Sequence, residues 1–143
     1  LQLAAEADLT VATGHISAEE GKKVVAAARK SGVKKIIVTH ADNPADFYSD
    51  AEQLECVKMG AVIEHCCFNV YNGQTSVAEL ARQIRLVGCG HVLLSSDFGQ
   101  PGSPYPDEGL SQMAEALLAE GFTVSDIEEM MKKNPEKLLG TGC

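Results

Sequence analysis

The sequence predicts an α/β fold of four consecutive parallel βα units with extra helices at the C-terminal end. Three observations carry that reading. Short apolar runs rich in β-branched residues recur four times, a helix-entry signal follows each, and a glycine closes each of the first three helices.

The first run, Leu9-Thr-Val-Ala-Thr-Gly-His15, reads as a buried parallel strand because it is apolar without clean alternation. The others are Lys35–His40, Ala61–His65 and His91–Asp97. Ahead of the first, Leu1–Ala5 reads as the end of a helix leading into the strand. Helix entries carry Ser-x-x-Glu at Ser17/Glu20, Ser49/Glu52 and Ser76/Glu79, the reciprocal arrangement in which a serine oxygen and a glutamate satisfy orphan N–H groups. Gly32, Gly60 and Gly88 mark the helix ends, where a left-handed residue is needed. Val24, Val25 and Ala28 in the first helix, and Val77, Leu80, Ala81, Ile84 and Val87 in the third, lie on one face each. Beyond Asp97 a Gly/Pro-rich loop leads to a helix near Gly109–Glu120. Another starts at Ser125 with Glu128 completing a fourth box, and Asn134-Pro135 is expected to stop it and begin a last short turn.

The chain of 143 residues fits a single domain, 1–143, and is shorter than the roughly 250 residues of a complete (β/α)8 barrel. Together with the start at Leu1, this favours a fragment. Lys and Arg total 12 against 20 Asp and Glu, a formal charge of −8, which excludes the cationic surface that nucleic-acid binding relies on. No apolar run is long enough for a membrane span. Five cysteines, Cys56, Cys66, Cys67, Cys89 and Cys143, show no CxxC spacing. They argue against a disulfide framework or zinc knuckle and make a reducing cytoplasm the simplest setting.

In parallel α/β folds the carboxyl ends of the strands form one edge, which carries the active site. The residues ending the four runs are His15, His40, His65 and Asp97. Three imidazoles and a carboxylate suit zinc and related divalent ions, and a converging scaffold alone can assemble them from such distant positions. One strand-end histidine by itself is more often structural; four such endings in four units are harder to dismiss. His91, at the opposite edge, has no chemistry assigned.

At Ala12-Thr-Gly-His15, Val38-Thr-His40, Ser95-Ser-Asp97 and the closing Asn134-Pro-Glu-Lys-Leu-Leu-Gly140, the chain resembles the amidohydrolase superfamily of metal-dependent barrel hydrolases. The resemblance runs nearly end to end and implies the C-terminal half of a (β/α)8 TIM barrel, strands five to eight. It implies His15 and His40 as metal ligands and Asp97 as both a ligand and the base that takes a proton from the attacking water. His65, Gln100 and Asn69 become substrate or supporting contacts. The implied cofactor is a divalent metal, zinc, as one or two ions in the intact protein, acting on a small-molecule amide, ester, lactone or phosphoester. The family's His-x-His pair and its bridging lysine or acid have no counterpart here, so this chain is expected to hold half a site, to bind metal weakly and to turn over little. Its partner would be the missing N-terminal half-barrel, or itself through exposed sheet edges.

The loop Phe98–Glu108 is a pocket wall or a plain connection, with Asn69, Tyr71, Asn72 and Gln74 nearby. Glu64 is expected to face the helices in a rim salt bridge. Cys66 and Cys67 read as small buried residues in preference to thiolate ligands beside His65. Two alternatives to the hydrolase are a complete flavodoxin-like domain binding a small ligand without catalysis, and a non-catalytic half-barrel. Against the first, no Gly-rich phosphate loop follows any strand.

Overall fold

The computed structural model describes residues 1–140; Cys143 and the end of the expected 1–143 domain lie outside them. Helix α1 (Gln2–Glu6) leads into β1 (Thr10–Ala12), followed by α2 (Ala18–Lys30), β2 (Lys35–Val38), α3 (Asp50–Lys58) and β3 (Val62–Cys66). The chain continues through α4 (Cys67–Tyr71), α5 (Val77–Val87), β4 (Val92–Ser95) and α6 (Pro106–Ala119). It ends with α7 (Val124–Glu128), a π-helical turn (Glu129–Lys133) and α8 (Asn134–Leu139).

The strands form one parallel sheet in the order β1-β2-β3-β4. A flavodoxin-like sheet reverses its strand order at a switch point, and no reversal occurs among the described residues. Helices α2, α3, α5 and α6 touch one another in that sequence, as neighbours in one layer do.

Strand register separates the two faces. Val11 pairs with Ile36, Val38 with Ile63, Ile63 with Val92, and His65 with Leu94. Ile36, Val38, Ile63 and Val92 are buried in the core shared with the helices, where each contributes about 1.5 to 3 kcal/mol. The opposite face carries Ala12, Ile37, Val62, Glu64 and Leu93, paired as Ala12–Ile37, Ile37–Val62 and Glu64–Leu93. These apolar side chains stand apart from the core cluster. Glu64 is therefore on the face away from the helices, contrary to expectation. Alternation correctly opposed it to His65, but Ile36-Ile37-Val38 and Val62-Ile63 are apolar on both faces, so it could not say which face the helices cover.

The local signals act largely as read. Ser17/Glu20 and Ser49/Glu52 form reciprocal capping boxes, and each such cap contributes about 1 kcal/mol. Ser76 caps Glu79 N, but Glu79 turns its carboxylate to Arg82 and Gln83, leaving half a box. Gly32, Gly60 and Gly88 all adopt φ between 86° and 88°.

Three expectations change near the C-terminus. Helix α6 starts at Pro106, whose missing N–H costs nothing in a first turn. The cap of α7 is Thr123 with Asp126, two residues earlier than the expected Ser125/Glu128. Asn134-Pro135 does not stop the helix. The preceding turn is π-helical and α8 follows directly with Pro135 in its first turn, where the backbone N–H is dispensable. Buried Asn134 donates through Nδ2 to Val92 O (2.7 Å) and Cys89 O (2.8 Å), tying this segment to the start of β4. Among the described residues, no helix is long and apolar enough to cross a membrane.

Candidate functional site

Polar interactions carry the sheet beyond its strand ends and so set the carboxyl edge. Thr39 N donates to Thr13 Oγ1 (3.0 Å) and Gly14 N to Thr39 Oγ1 (3.2 Å), which holds the β1 and β2 exits side by side. Ala41 N donates to Glu64 O (3.1 Å) and Phe68 N to Ser96 O (3.1 Å). The segments just past β2, β3 and β4 are therefore in fixed register.

His40 and Asp97 each sit two residues past their strands with φ of +47° and +52°, a left-handed conformation uncommon for residues other than glycine, though less so for His and Asp. His40 is buried, with Nε2 3.8 Å from Asp97 Oδ2 and Nδ1 3.6 Å from Glu64 Oε2. Neither distance is a hydrogen bond, and Nδ1 has no hydrogen-bonding partner. Asp97 keeps 39% of its side chain exposed, so it is open to solvent and to a small molecule. Cys66 completes this group: one ligand atom from each of His40, Cys66 and Asp97 lies within 4.8 Å of the others.

His15 stands beside this group rather than in it. Its ring centroid is 5.2 Å from that of His40, and its side chain is 68% exposed. Nδ1 lies 2.6 Å from Oδ2 of buried Asp46. A carboxylate can only accept, so Nδ1 is the donor in this contact and Nε2 is the ring nitrogen left facing away from it.

His65 is fully buried on the helix-side face, away from His40. Its Nδ1 is 3.3 Å from Asp42 Oδ1 without the alignment of a hydrogen bond. Asn69, expected as a substrate or supporting contact, is also fully buried and donates through Nδ2 to Asp42 Oδ1 (3.1 Å). Both belong to a buried polar group behind the sheet edge. Gln100 is exposed and donates through Nε2 to Asp97 O (2.9 Å), bracing the backbone at the carboxylate. Tyr71 donates its hydroxyl to Gly102 O (3.0 Å), and Asn72 and Gln74 are exposed.

The loop after Asp97 is anchored. Phe98 packs edge-on against Tyr71 and Phe68, with centroids 5.6 and 6.5 Å away. An apolar cavity of about 200 Å³ opens beside it between α4 and α6, lined by Cys67, Tyr71, Phe98 and Met113 among others; His40, Cys66 and Asp97 do not line it.

The profile of a family of unknown function (DUF6282) matches residues 1–64. The similarity spans β1, β2 and most of β3, includes His15, His40 and Glu64, and stops short of Cys66 and Asp97. No curated protein and no solved structure shows a match.

Sequence reasoning named His40 and Asp97 but missed Glu64 and Cys66 as neighbours of that pair, and Asp42 and Asp46 as partners of the histidines. Asp42 and Asp46 had a signal: both lie within six residues of His40 on the same carboxyl-edge loop.

Burial pushes the thiols of Cys56 and Cys67 up to about 11 and that of Cys66 up to about 12. Nearby Asp42, Asp97 and Glu64 charges add to the effect at Cys66.

Proposed function

We propose that this protein is a metal-dependent hydrolase of the amidohydrolase type, its chain forming the C-terminal half of a (β/α)8 barrel and one side of the active site. The observation that carries the reading is the approach of His40 and Asp97, from the ends of β2 and β4, to 3.8 Å at the carboxyl edge of a sequentially ordered parallel sheet. The donor set fits a divalent ion. A buried imidazole, a carboxylate and a thiol each offer one ligand atom within 4.8 Å of the others, and a cation would balance them. The apolar row Ala12, Ile37, Val62 and Leu93 on the face away from the helices supports the half-barrel reading, because a barrel's inner face is packed with such side chains.

A bound divalent ion supplies Lewis-acid activation of water and of the scissile carbonyl or phosphoryl oxygen. His40, wedged between Glu64 and Asp97, would hold such an ion in place. Asp97, with its exposed carboxylate, takes the proton from the attacking water and returns it to the leaving group. Gln100 fixes the Asp97 backbone while this happens. His15, set by Asp46 and exposed, presents Nε2 as a further ligand or as a contact to substrate.

The test is Asp97→Asn in the full-length zinc-loaded protein, assayed on a panel of amides, esters, lactones and phosphoesters. Loss of the proton acceptor should lower kcat by roughly 10² to 10⁴ or more with unchanged circular dichroism. Wild-type activity in that variant would refute the assignment.

A further inference from the structure

Adjacent cysteines at the end of β3 have different surroundings. Cys67 packs into the apolar core and lines the cavity beside Phe98. Cys66, paired with Ser95, is equally hidden at 1% exposure but stands outside the core cluster. It shares the face of Glu64, two residues earlier, and lies with His40 and Asp97. A small residue chosen only to fill space needs no such company. A thiol whose sulfur lies within 4.8 Å of a buried imidazole nitrogen and a carboxylate oxygen is what a soft cation binds.

We infer that Cys66 is a metal ligand, joining His40 Nε2 and Asp97 in a nitrogen, sulfur and oxygen site that takes a thiophilic divalent ion such as zinc or cobalt rather than magnesium. The inference rests on the metal-centre reading above and adds the ligand that determines which metal is held. Tetrahedral zinc, with bonds of about 2.0 to 2.3 Å, places its donors about 3.3 to 3.8 Å apart. The His40–Asp97 pair is already at 3.8 Å, and the widest spread in the group, 4.8 Å, closes with side-chain rotation. Ligation forms a metal–sulfur bond and breaks the S–H bond, with the proton passing to solvent and no change of oxidation state. Once Nε2 is committed to metal, Nδ1 carries the ring proton, and Glu64 at 3.6 Å is placed to accept it, the carboxylate–histidine–metal arrangement that orients a ligand ring. Thiolate favours zinc and cobalt; magnesium requires oxygen donors.

The experiment is a cobalt(II) titration of the metal-free full-length protein, read by absorption. Wild type should show a thiolate-to-cobalt charge-transfer band in the near ultraviolet together with visible ligand-field bands. Cys66→Ser should lose the first, keep the second and bind cobalt at least roughly tenfold more weakly. Cys67→Ser should keep both, and zinc but not magnesium should displace cobalt. A charge-transfer band that is absent from wild type, or that survives Cys66→Ser, overturns the thiolate ligand. If the visible bands still vanish in His40→Ala, the metal-centre reading stands without it. Cobalt that fails to bind, or binds equally to His40→Ala, overturns both. Zinc-edge X-ray absorption of the wild-type protein reads a sulfur neighbour near 2.3 Å directly, so the outcome does not depend on a variant that folds.

Discussion

Replacing Gly109 by alanine tests whether the loop carrying Asp97 is seated as described. Gly109 lies near the start of α6, and a Cβ there would overlap Phe98 Cε2, fall 2.5 Å from Cδ2 and 3.1 Å from Cζ. The ring cannot simply swing away, since Tyr71 and Phe68 meet it edge-on. Two opposing effects follow. Alanine is about 0.8 to 1.0 kcal/mol better than glycine inside a helix, and forcing a side chain into a packed site costs about 1 to 3 kcal/mol. The net is a loss of up to about 2 kcal/mol in wild type. In a Phe98→Ala background the clash is gone, and the same substitution should gain close to 1 kcal/mol, so its sign reverses. Urea denaturation of the four proteins of the cycle, followed by circular dichroism, measures the coupling. If Gly109→Ala stabilises wild type by the full helix-propensity amount, Phe98 does not rest on α6 and the anchoring of the loop is wrong.

Further outcomes follow from other contacts. Asn134→Ala removes two donor bonds to the β4 entry and takes the side-chain donor from Val92 O, while Cys89 O keeps the Val92 N–H, a loss of roughly 1 to 3 kcal/mol by denaturant titration; an unchanged midpoint would refute the tie. Gln53 is fully buried and bridges Tyr48 O (3.1 Å) to Gln83 Oε1 (2.9 Å) between α3 and α5, so Gln53→Ala should cost about 2 to 4 kcal/mol, and a surface-like effect would contradict that bridge. Arg82, followed by Gln83, pulls the Glu79 carboxyl down to about 2 from 4.5. Its contribution is present above pH 4.5 and lost as pH falls towards about 2. Glu79→Gln should flatten that part of the acid limb of urea midpoint against pH, and an unaltered slope would exclude the pairing. Cys56, Cys66 and Cys67, buried and with raised thiols, should resist iodoacetamide at neutral pH until the chain unfolds; rapid native labelling would contradict their burial.

The four strands, the three glycine helix ends and two full capping boxes were legible because each rests on contacts within a few residues in sequence. Helix α4 was not, since Cys67–Tyr71 is a single turn without a cap or period, packed against the sheet edge. The continuous helix through Asn134-Pro135 was missed for a related reason. Proline signals a break, but the π-helical turn ahead of it and the Asn134 bonds to β4 are decided by tertiary packing. Of the site, the residue types at the strand ends were visible and their grouping was not. His15, His40, His65 and Asp97 looked equivalent in sequence, yet His65 sits behind the sheet with Asp42, and Glu64 and Cys66 take the place beside His40.

Backbone conformation explains that regrouping. Were β2 to continue with extended geometry, His40 would share the helix-side face with Val38 and be separated from Glu64 and Cys66 by the sheet. A φ of +47° at His40 turns the chain out of that alternation, and the imidazole reaches Glu64 and Asp97 instead. Asp97, at +52°, makes a similar turn after β4, and Gln100 braces its carbonyl. Each left-handed residue costs roughly 1 to 2 kcal/mol, which a glycine would avoid. Elsewhere in the described chain such angles fall on glycines, as at Gly14, Gly32 and Gly60, with Asp8 (φ +49°), paired with Lys35, as the other non-glycine case. At the two positions where the side chains meet, the strain is tolerated and the side chain kept. His40 is buried and Asp97 keeps 39% of its side chain exposed, so neither position is filled for apolar bulk. The metal-centre reading proposed above accounts for the preference, because it needs an imidazole and a carboxylate at one point on the sheet edge.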